Sequence, residues 1–405
     1  MVTIKDIQVI LTAPDRIRLV VVKVITSEPG LYGLGCATFT QRPLAVATAI
    51  EQYLRPFCIG RDVDRIEDLW QAAFVSSYWR SGPVLNNAMS GVDEALWDIK
   101  AKRAGMPLYQ LLGGKCREAV PVYSHASGNS LSELEEDVRR LMEMGFHHLR
   151  VQMGIPGLAT YGGRKLDAVK ALNPAQVDTW EPSPYVRAVP KMLEHLRVHI
   201  GDDLEMLHDV HERIPPIQGV WLAKAVEPYR LFFLEDLFAP EDNDYFRMVR
   251  SQCATPLAMG ELYVNQAEYV PMIRERLIDF IRVHISDIGG LSQARKLAAF
   301  CEFMGVRTAF HGPGDCSPVG HAVNMHLDLA VSNFGIQELA LFRPETREVF
   351  PGCPEVHDGC MWPNDQPGHG VDIDEARAAR CPFPEHVYNG AWPEVRRWDG
   401  TVIKP

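Results

Sequence analysis

Eight short apolar runs, each ending in a polar residue, constrain this chain more than any other feature. They are VPVYSH, HLRVQ, EMLHD, LFFLE, PLAMGE, FIRVH, VRTAFH and FGIQE, and they end at His125, Gln152, Asp209, Glu235, Glu261, His284, His311 and Glu338. The spacings between successive ends are 27, 57, 26, 26, 23, 27 and 27 residues. Strand-like runs alternating with helical segments at that interval predict βα units and a parallel sheet. Eight of them predict an α/β chain closed into a barrel. The intervening sequences do not repeat, so the period belongs to the architecture and not to an internal duplication.

One spacing exceeds a βα unit by roughly thirty residues. The excess lies near residues 154–184, where Pro and Gly interrupt any helical period. A connection leaving the end of a barrel strand overhangs the C-terminal mouth, where barrel active sites sit. The segment therefore reads as a lid. Residues 1–117 precede the first run and 346–405 follow the last. The former carry strand–turn–strand signals, Ile7 to Thr12 and Ile17 to Thr26, and then a helical segment, Ser90 to Gly105, with Ser90 as its cap. The latter is rich in Pro and Gly. The expected parsing is an N-terminal α+β domain over 1–117, a barrel over 118–345, and a tail over 346–405.

Three consecutive runs end in a carboxylate: Asp209, Glu235 and Glu261. Adjacent barrel strands bring those side chains to one place. Like charges at short range raise one another's pKa unless a cation neutralises them. Oxygen-only ligands favour a hard ion, and Mg²⁺ keeps open positions for water or substrate. The bland alternative is three solvated carboxylates at loop starts, which their common register disfavours.

Neighbouring residues extend the pattern. His211 stands two residues beyond Asp209, on the same side of an extended chain, as a general acid or base. Arg150 and Gln152 alternate on the second strand. An arginine pointing into a barrel mouth must meet a carboxylate or orient a partner, and Arg282 carries the same argument. His311 opens the run His311-Gly312-Pro313-Gly314-Asp315, either a plain strand-to-helix turn or a place where backbone approaches a ligand. Glu338 can accept from a substrate hydroxyl or orient His311. Tyr161 is a phenol on the lid. Gly33-Leu34-Gly35 lacks the rest of a dinucleotide fingerprint and has no cofactor role.

Composition narrows the class. The chain has 405 residues, 46% hydrophobic and 23% charged, with a net charge of −11. That suits a soluble core and argues against a broad nucleic-acid footprint. No apolar run approaches the roughly 20 residues of a membrane helix, and Met1-Val2-Thr3-Ile4-Lys5-Asp6 is no secretory signal. Nine cysteines without a Cys-x-x-Cys read as reduced thiols. The expectation is a cytoplasmic protein with no nucleic-acid or membrane partner.

The segments SYWRSGPVLNNAMSGVDEALWDIKAKRAGMPLYQLLGG, LHDVH, FLED and MGEL, with HGPGD, SPV and NFGIQE, together resemble the enolase superfamily. The resemblance is to its mannonate dehydratase group, which includes proteins called starvation-sensing, and it covers nearly the whole chain. It implies a modified (β/α)7β TIM-like barrel with an α+β capping domain that the tail completes. It also implies one Mg²⁺ per subunit on Asp209, Glu235 and Glu261. Substrates would be sugar acids such as mannonate or gluconate, dehydrated to 2-keto-3-deoxy acids by a homo-oligomer. Arg150 and Tyr161 match the pair that takes the α-proton, and His211 matches the acid for the departing hydroxyl. His125, Gln152, Arg282, His311, Asp315 and Glu338 would line the pocket.

The chain departs from the group where GLGDATLNGRE is common: here it reads GLGCATFTQRP, with Cys36 and Thr40. It also ends DGTVIKP, without the group's terminal tryptophan. Both segments belong to the part that reads the far end of the substrate. No Lys-x-Lys stands at the second strand end, which argues against the lactonising and muconate-type branches. The remaining rivals are a racemase using His311 as base and a non-catalytic regulator that binds a sugar acid.

Overall fold

The computed structural model describes residues 1–154, 180–314, 316–384 and 395–404. Tyr161, Asp315 and most of the expected lid lie outside the described residues.

Strands β1 (Ile4–Thr12), β2 (Leu19–Thr26) and β3 (Tyr32–Cys36) form an antiparallel sheet in that order. Val20, Val22 and Val24 alternate along β2 and pack with Ile4, Ile7, Val92, Ala95, Leu96 and Ile99. The last four come from a helix over Pro83–Ala104. That helix starts seven residues before the expected Ser90, because Pro83 presets the first helical turn. Gly105, at φ 64°, ends it as expected. Ser90 is thus no cap; its hydroxyl donates to Glu94 Oε1 at 3.0 Å. A Cβ on Gly33 would stand 2.0 Å from Ala95 O, and one on Gly35 2.1 Å from Gly91 O. The glycine pair lets β3 lie directly on the helix.

Seven strands pair in parallel and in chain order: β4 (Val120–Gly128), β5 (His148–Met153), β6 (Glu205–Asp209), β7 (Phe233–Glu235), β8 (Leu257–Met259), β9 (Phe280–Ile281) and β10 (Arg307–Thr308). The eighth, β11 (Gln337–Glu338), returns beside β4. A parallel bridge from Thr308 to Phe334, with Gly335 N–H donating to Thr308 O at 2.7 Å, links β10 to the approach of β11. The ring is closed. A helix follows each of the first seven strands, from Leu131–Glu143 to Pro318–Ala330, so this is a (β/α)7β barrel with the α+β layer of residues 1–111 against it. Asp93 ties the two parts together: its Oδ2 accepts from Ser292 N–H at 2.8 Å. Trp70 Nε1 likewise donates to Gly289 O at 2.7 Å.

Inside the barrel, Tyr123, Leu207, Phe233, Ala258, Phe280, Ala309 and Ile336 form one apolar layer. Strand side chains repeat every second residue. Two residues on stand His125, Asp209, Glu235, Gly260, Arg282, His311 and Glu338. The same alternation that fills the barrel therefore builds a polar layer at its mouth. The ladders are shorter than the apolar runs. Glu261, His284 and His311 lie past them, and β4 continues three residues beyond His125.

The tail makes an antiparallel hairpin, β12 (Glu355–His357) and β13 (Cys360–Trp362), that pairs with the start of β4. Farther on it meets the N-terminal sheet, where Thr12 Oγ1 donates to Ala378 O at 3.0 Å. All nine cysteines are free. Among the described residues no helix is long and apolar enough to cross a membrane.

Candidate active site

Register places the first two carboxylates side by side, since Asp209 on β6 pairs with Glu235 on β7. Glu261 arrives differently. Gly260 adopts φ 143° against the backbone of Arg282 and Val283, and this turn swings the next residue into the mouth. Two groups of metal-capable atoms result, each within 4.8 Å: Asp209, His211 and Asp236, and Glu235, Asp236 and Glu261.

Asp236 belongs to both groups, and sequence reasoning missed it. Strict alternation points the neighbour of Glu235 away from the mouth, but Asp236 sits at φ 42°, in the left-handed region. Its Oδ1 accepts from Gly260 N–H at 3.3 Å. His211 is a related correction. The chain there is not extended, because His211 and Glu212 have φ 54° and 52°. The turn still brings His211 Nδ1 to 3.3 Å from Asp209 Oδ2 and 3.6 Å from Glu261 Oε1. Left-handed backbone at non-glycine residues costs energy and clusters at functional sites.

Two buried guanidiniums face these carboxylates. Arg150 Nη1 lies 3.3 Å from Glu235 Oε1, 3.3 Å from Glu338 Oε1 and 3.6 Å from Asp209 Oδ2. Arg282 Nη2 bonds Glu235 Oε1 and reaches Glu338 Oε2 at 3.2 Å and Glu261 Oε2 at 3.5 Å. His125 Nε2 is 2.9 Å from Glu338 Oε1. His311 stands 3.4 Å from Glu261 and 3.7 Å from Glu338. Gln152 Nε2 donates to Asp209 O at 3.2 Å. His284, which the sequence marked only as a strand end, meets His311 with the two Nδ1 atoms 2.9 Å apart. Of the expected site residues, only Tyr161 and Asp315 cannot be placed, since they lie outside the described residues.

Burial pushes the Glu235 carboxyl up to about 8, with Arg282 opposing and Asp209 adding repulsion. Burial also pushes Asp236 to about 7 and Glu261 well above the usual range. Asp209 and Glu338 go the other way. Burial raises each, but His211 with Arg150 and Arg213 outweighs it at Asp209, and Arg282 with His311 and His125 does so at Glu338. Burial depresses His125, His211 and His311.

The cluster is short of positive charge, and it is short of donors too. Oδ1 of Asp209, Oε2 of Glu235 and Oδ2 of Asp236 are buried without a hydrogen-bond partner, and Asp209 Oδ2 meets the contacts of His211 and Arg150. Buried polar atoms are normally bonded. A divalent cation meets both deficits at once, and an all-oxygen donor set suits Mg²⁺.

Residues 1–113 match the family model of the mandelate racemase / muconate lactonizing enzyme N-terminal domain, and residues 133–377 match the enolase C-terminal domain-like model. The D-galactonate dehydratase family member RspA of Pantoea ananatis is 53% identical over 99% of each chain. The chain belongs to the D-galactonate dehydratase family of the enolase superfamily. Another family member, from Salmonella enteritidis, is 50% identical over 99% of this chain and 98% of its own. A solved enolase from Pantoea ananatis, with D-gluconate and Mg bound, superposes with a TM-score of 0.94 at 50% identity, covering all of both chains. A galactarate dehydratase candidate from Agrobacterium radiobacter reaches 0.83 at 27% identity, again over all of both chains.

Proposed function

We propose that this family member is a Mg²⁺-dependent acid-sugar dehydratase. It removes water from an aldonic acid, D-gluconate or D-mannonate, to give 2-keto-3-deoxy-gluconate. The observation that carries the reading is the set of buried, unbonded carboxylate oxygens of Asp209, Glu235 and Asp236 at the barrel mouth. Asp209, Glu235 and Glu261 would hold the ion, with Asp236 beside them. Bound there, Mg²⁺ supplies Lewis-acid stabilisation of the negative charge that builds on the substrate carboxylate.

The protein's own groups perform the proton transfers. In this proposal Tyr161 takes the α-proton, and Arg150 supplies the positive charge that would lower its pKa. The electron pair left behind expels the β-hydroxyl, which leaves as water on taking a proton from His211. The enol that remains becomes the 2-keto-3-deoxy acid. His125, Gln152, Arg282, His311 and Glu338 would line the pocket, and the proposal assigns Asp315 to it as well. The pairings of Glu338 with His125, Arg150 and Arg282 hold that wall in one arrangement. At the seam between cap and barrel, Cys36 is fully buried, and its carbonyl accepts a hydrogen bond from Ser286 Oγ at 3.3 Å. Thr40 donates to Gln41.

A screen of acid sugars with Mg²⁺, reading 2-keto-3-deoxy product, tests the reaction. Exchange of the α-proton with solvent deuterium and no keto acid would mark a racemase, and no turnover of any acid sugar would mark a regulator. Tyr161→Phe should abolish exchange; wild-type exchange in that variant would assign the base elsewhere.

A further inference from the structure

A second cluster of ligand atoms lies away from the mouth, on the outside of the barrel. Glu135 belongs to the helix Leu131–Glu143, and His195 and His199 to the helix Pro182–His199. The two histidines are four residues apart and so share one helix face. Their rings stack with centroids 4.1 Å apart. Both turn toward one oxygen: Glu135 Oε2 is 2.9 Å from His195 Nε2 and 3.3 Å from His199 Nδ1. Two nitrogen ligands and one carboxylate oxygen thus lie within 4.8 Å of one another.

We propose that Glu135, His195 and His199 form a second divalent-metal site, for a borderline ion such as Zn²⁺, that clamps these two helices together. The donor spacing fits. Ligands at about 2.0–2.1 Å from a tetrahedral ion stand about 3.3 Å apart, close to the separations across Glu135 Oε2. The donor chemistry selects the ion, because two imidazoles and one carboxylate suit Zn²⁺ and disfavour Mg²⁺. Arg139 orients the carboxylate. It donates to Glu135 Oε1 from Nε at 3.0 Å and from Nη2 at 2.8 Å, which leaves Oε2 for the metal.

Two further features bear on the clamp. His199 is the last residue of its helix, where the helix dipole favours a cation. Its side chain is 48% exposed, against 19% for Glu135 and His195, so water can complete the coordination. The Arg139 charge opposes the ion but sits on the far carboxylate oxygen.

The test uses the full-length protein at saturating Mg²⁺, so that the mouth is occupied. Zn²⁺ binding is measured by competition with a chromophoric chelator, and thermal midpoints are recorded with and without Zn²⁺. The expected result is one Zn²⁺ per chain and a midpoint raised by several degrees. His199→Gln changes a half-exposed residue at a helix end, and it should weaken Zn²⁺ at least tenfold while keeping the midpoint measured without Zn²⁺. His195→Gln should do the same. Wild-type Zn²⁺ affinity in both variants overturns the proposal. So does a wild-type protein that takes up no Zn²⁺, or Zn²⁺ binding that disappears in Glu235→Gln and persists in His199→Gln.

Discussion

The barrel mouth and the seam where helix, tail and barrel meet both bury charged and histidine side chains, yet they do so in opposite ways. At the seam Asp98, His369 and His326 have their acceptors used. Asp98 receives Leu34 N–H at 3.0 Å, Lys102 Nζ at 2.6 Å and His369 N–H at 3.1 Å. His369 takes Val371 N–H on Nδ1 at 3.2 Å and donates from Nε2 to Leu34 O at 3.0 Å. His326 takes Tyr109 N–H on Nδ1 at 3.1 Å and donates from Nε2 to His369 O at 3.2 Å. At the mouth, carboxylates of equal burial keep oxygens without a hydrogen-bond partner, Oδ1 of Asp209, Oε2 of Glu235 and Oδ2 of Asp236 among them. A closed network rigidifies the place where segments far apart in sequence meet. An open one is held ready for a ligand.

The sharpest way to break this contrast is at the mouth. Glu235→Gln should lower kcat/KM by about a thousandfold or more, since Lewis-acid stabilisation is worth several kcal/mol. The far-ultraviolet circular dichroism should not change. Steady-state kinetics across a Mg²⁺ titration checks this, and a loss of less than tenfold would remove Glu235 from the metal site. At the seam the effect should fall on stability instead. Asp98→Ala strands Lys102 and two backbone donors, Leu34 N–H and His369 N–H, and should cost about 3–5 kcal/mol of unfolding free energy. Its partners lie outside the mouth, so kcat per folded molecule should hold. Denaturant unfolding alongside kinetics separates the two.

The smallest effect is a pH slope. Burial first, then the neighbouring His369, depresses His326 to about 3. Its stabilising contribution is complete above the unfolded value near 6.5 and is lost as pH falls from there toward 3, because only the unfolded chain takes up the proton. Between pH 7 and 5 that amounts to about 2 kcal/mol. His326→Gln should flatten that part of the stability profile by about the same amount. An unchanged slope would mean that the seam is not what protons attack.

Much of this molecule is readable from residues alone. The interval between Gln152 and Glu338, apart from its one long gap, reports a βα repeat because strand, helix and short turns occupy a nearly constant length of chain. Period-two alternation then places Tyr123 under His125, Phe233 under Glu235 and Phe280 under Arg282, so an apolar layer and a polar layer follow from one rule. The carboxylates of Asp209 and Glu235 meet because equal strand offsets put them in register.

What tertiary structure alone decided are the departures from those regularities. Asp236 and His211 join the cluster through left-handed backbone, which the surrounding packing must impose against local preference. The helix that presses on β3 begins at Pro83 and not at Ser90, since burial of both its faces hides the amphipathic period by which its start would be read. The hairpin of β12 and β13 seats on β4 across more than two hundred residues of chain, and no local pattern encodes that partner. Glu135 meets His195 and His199 for the same reason: short-range rules govern each helix, but only the closed barrel sets the two side by side.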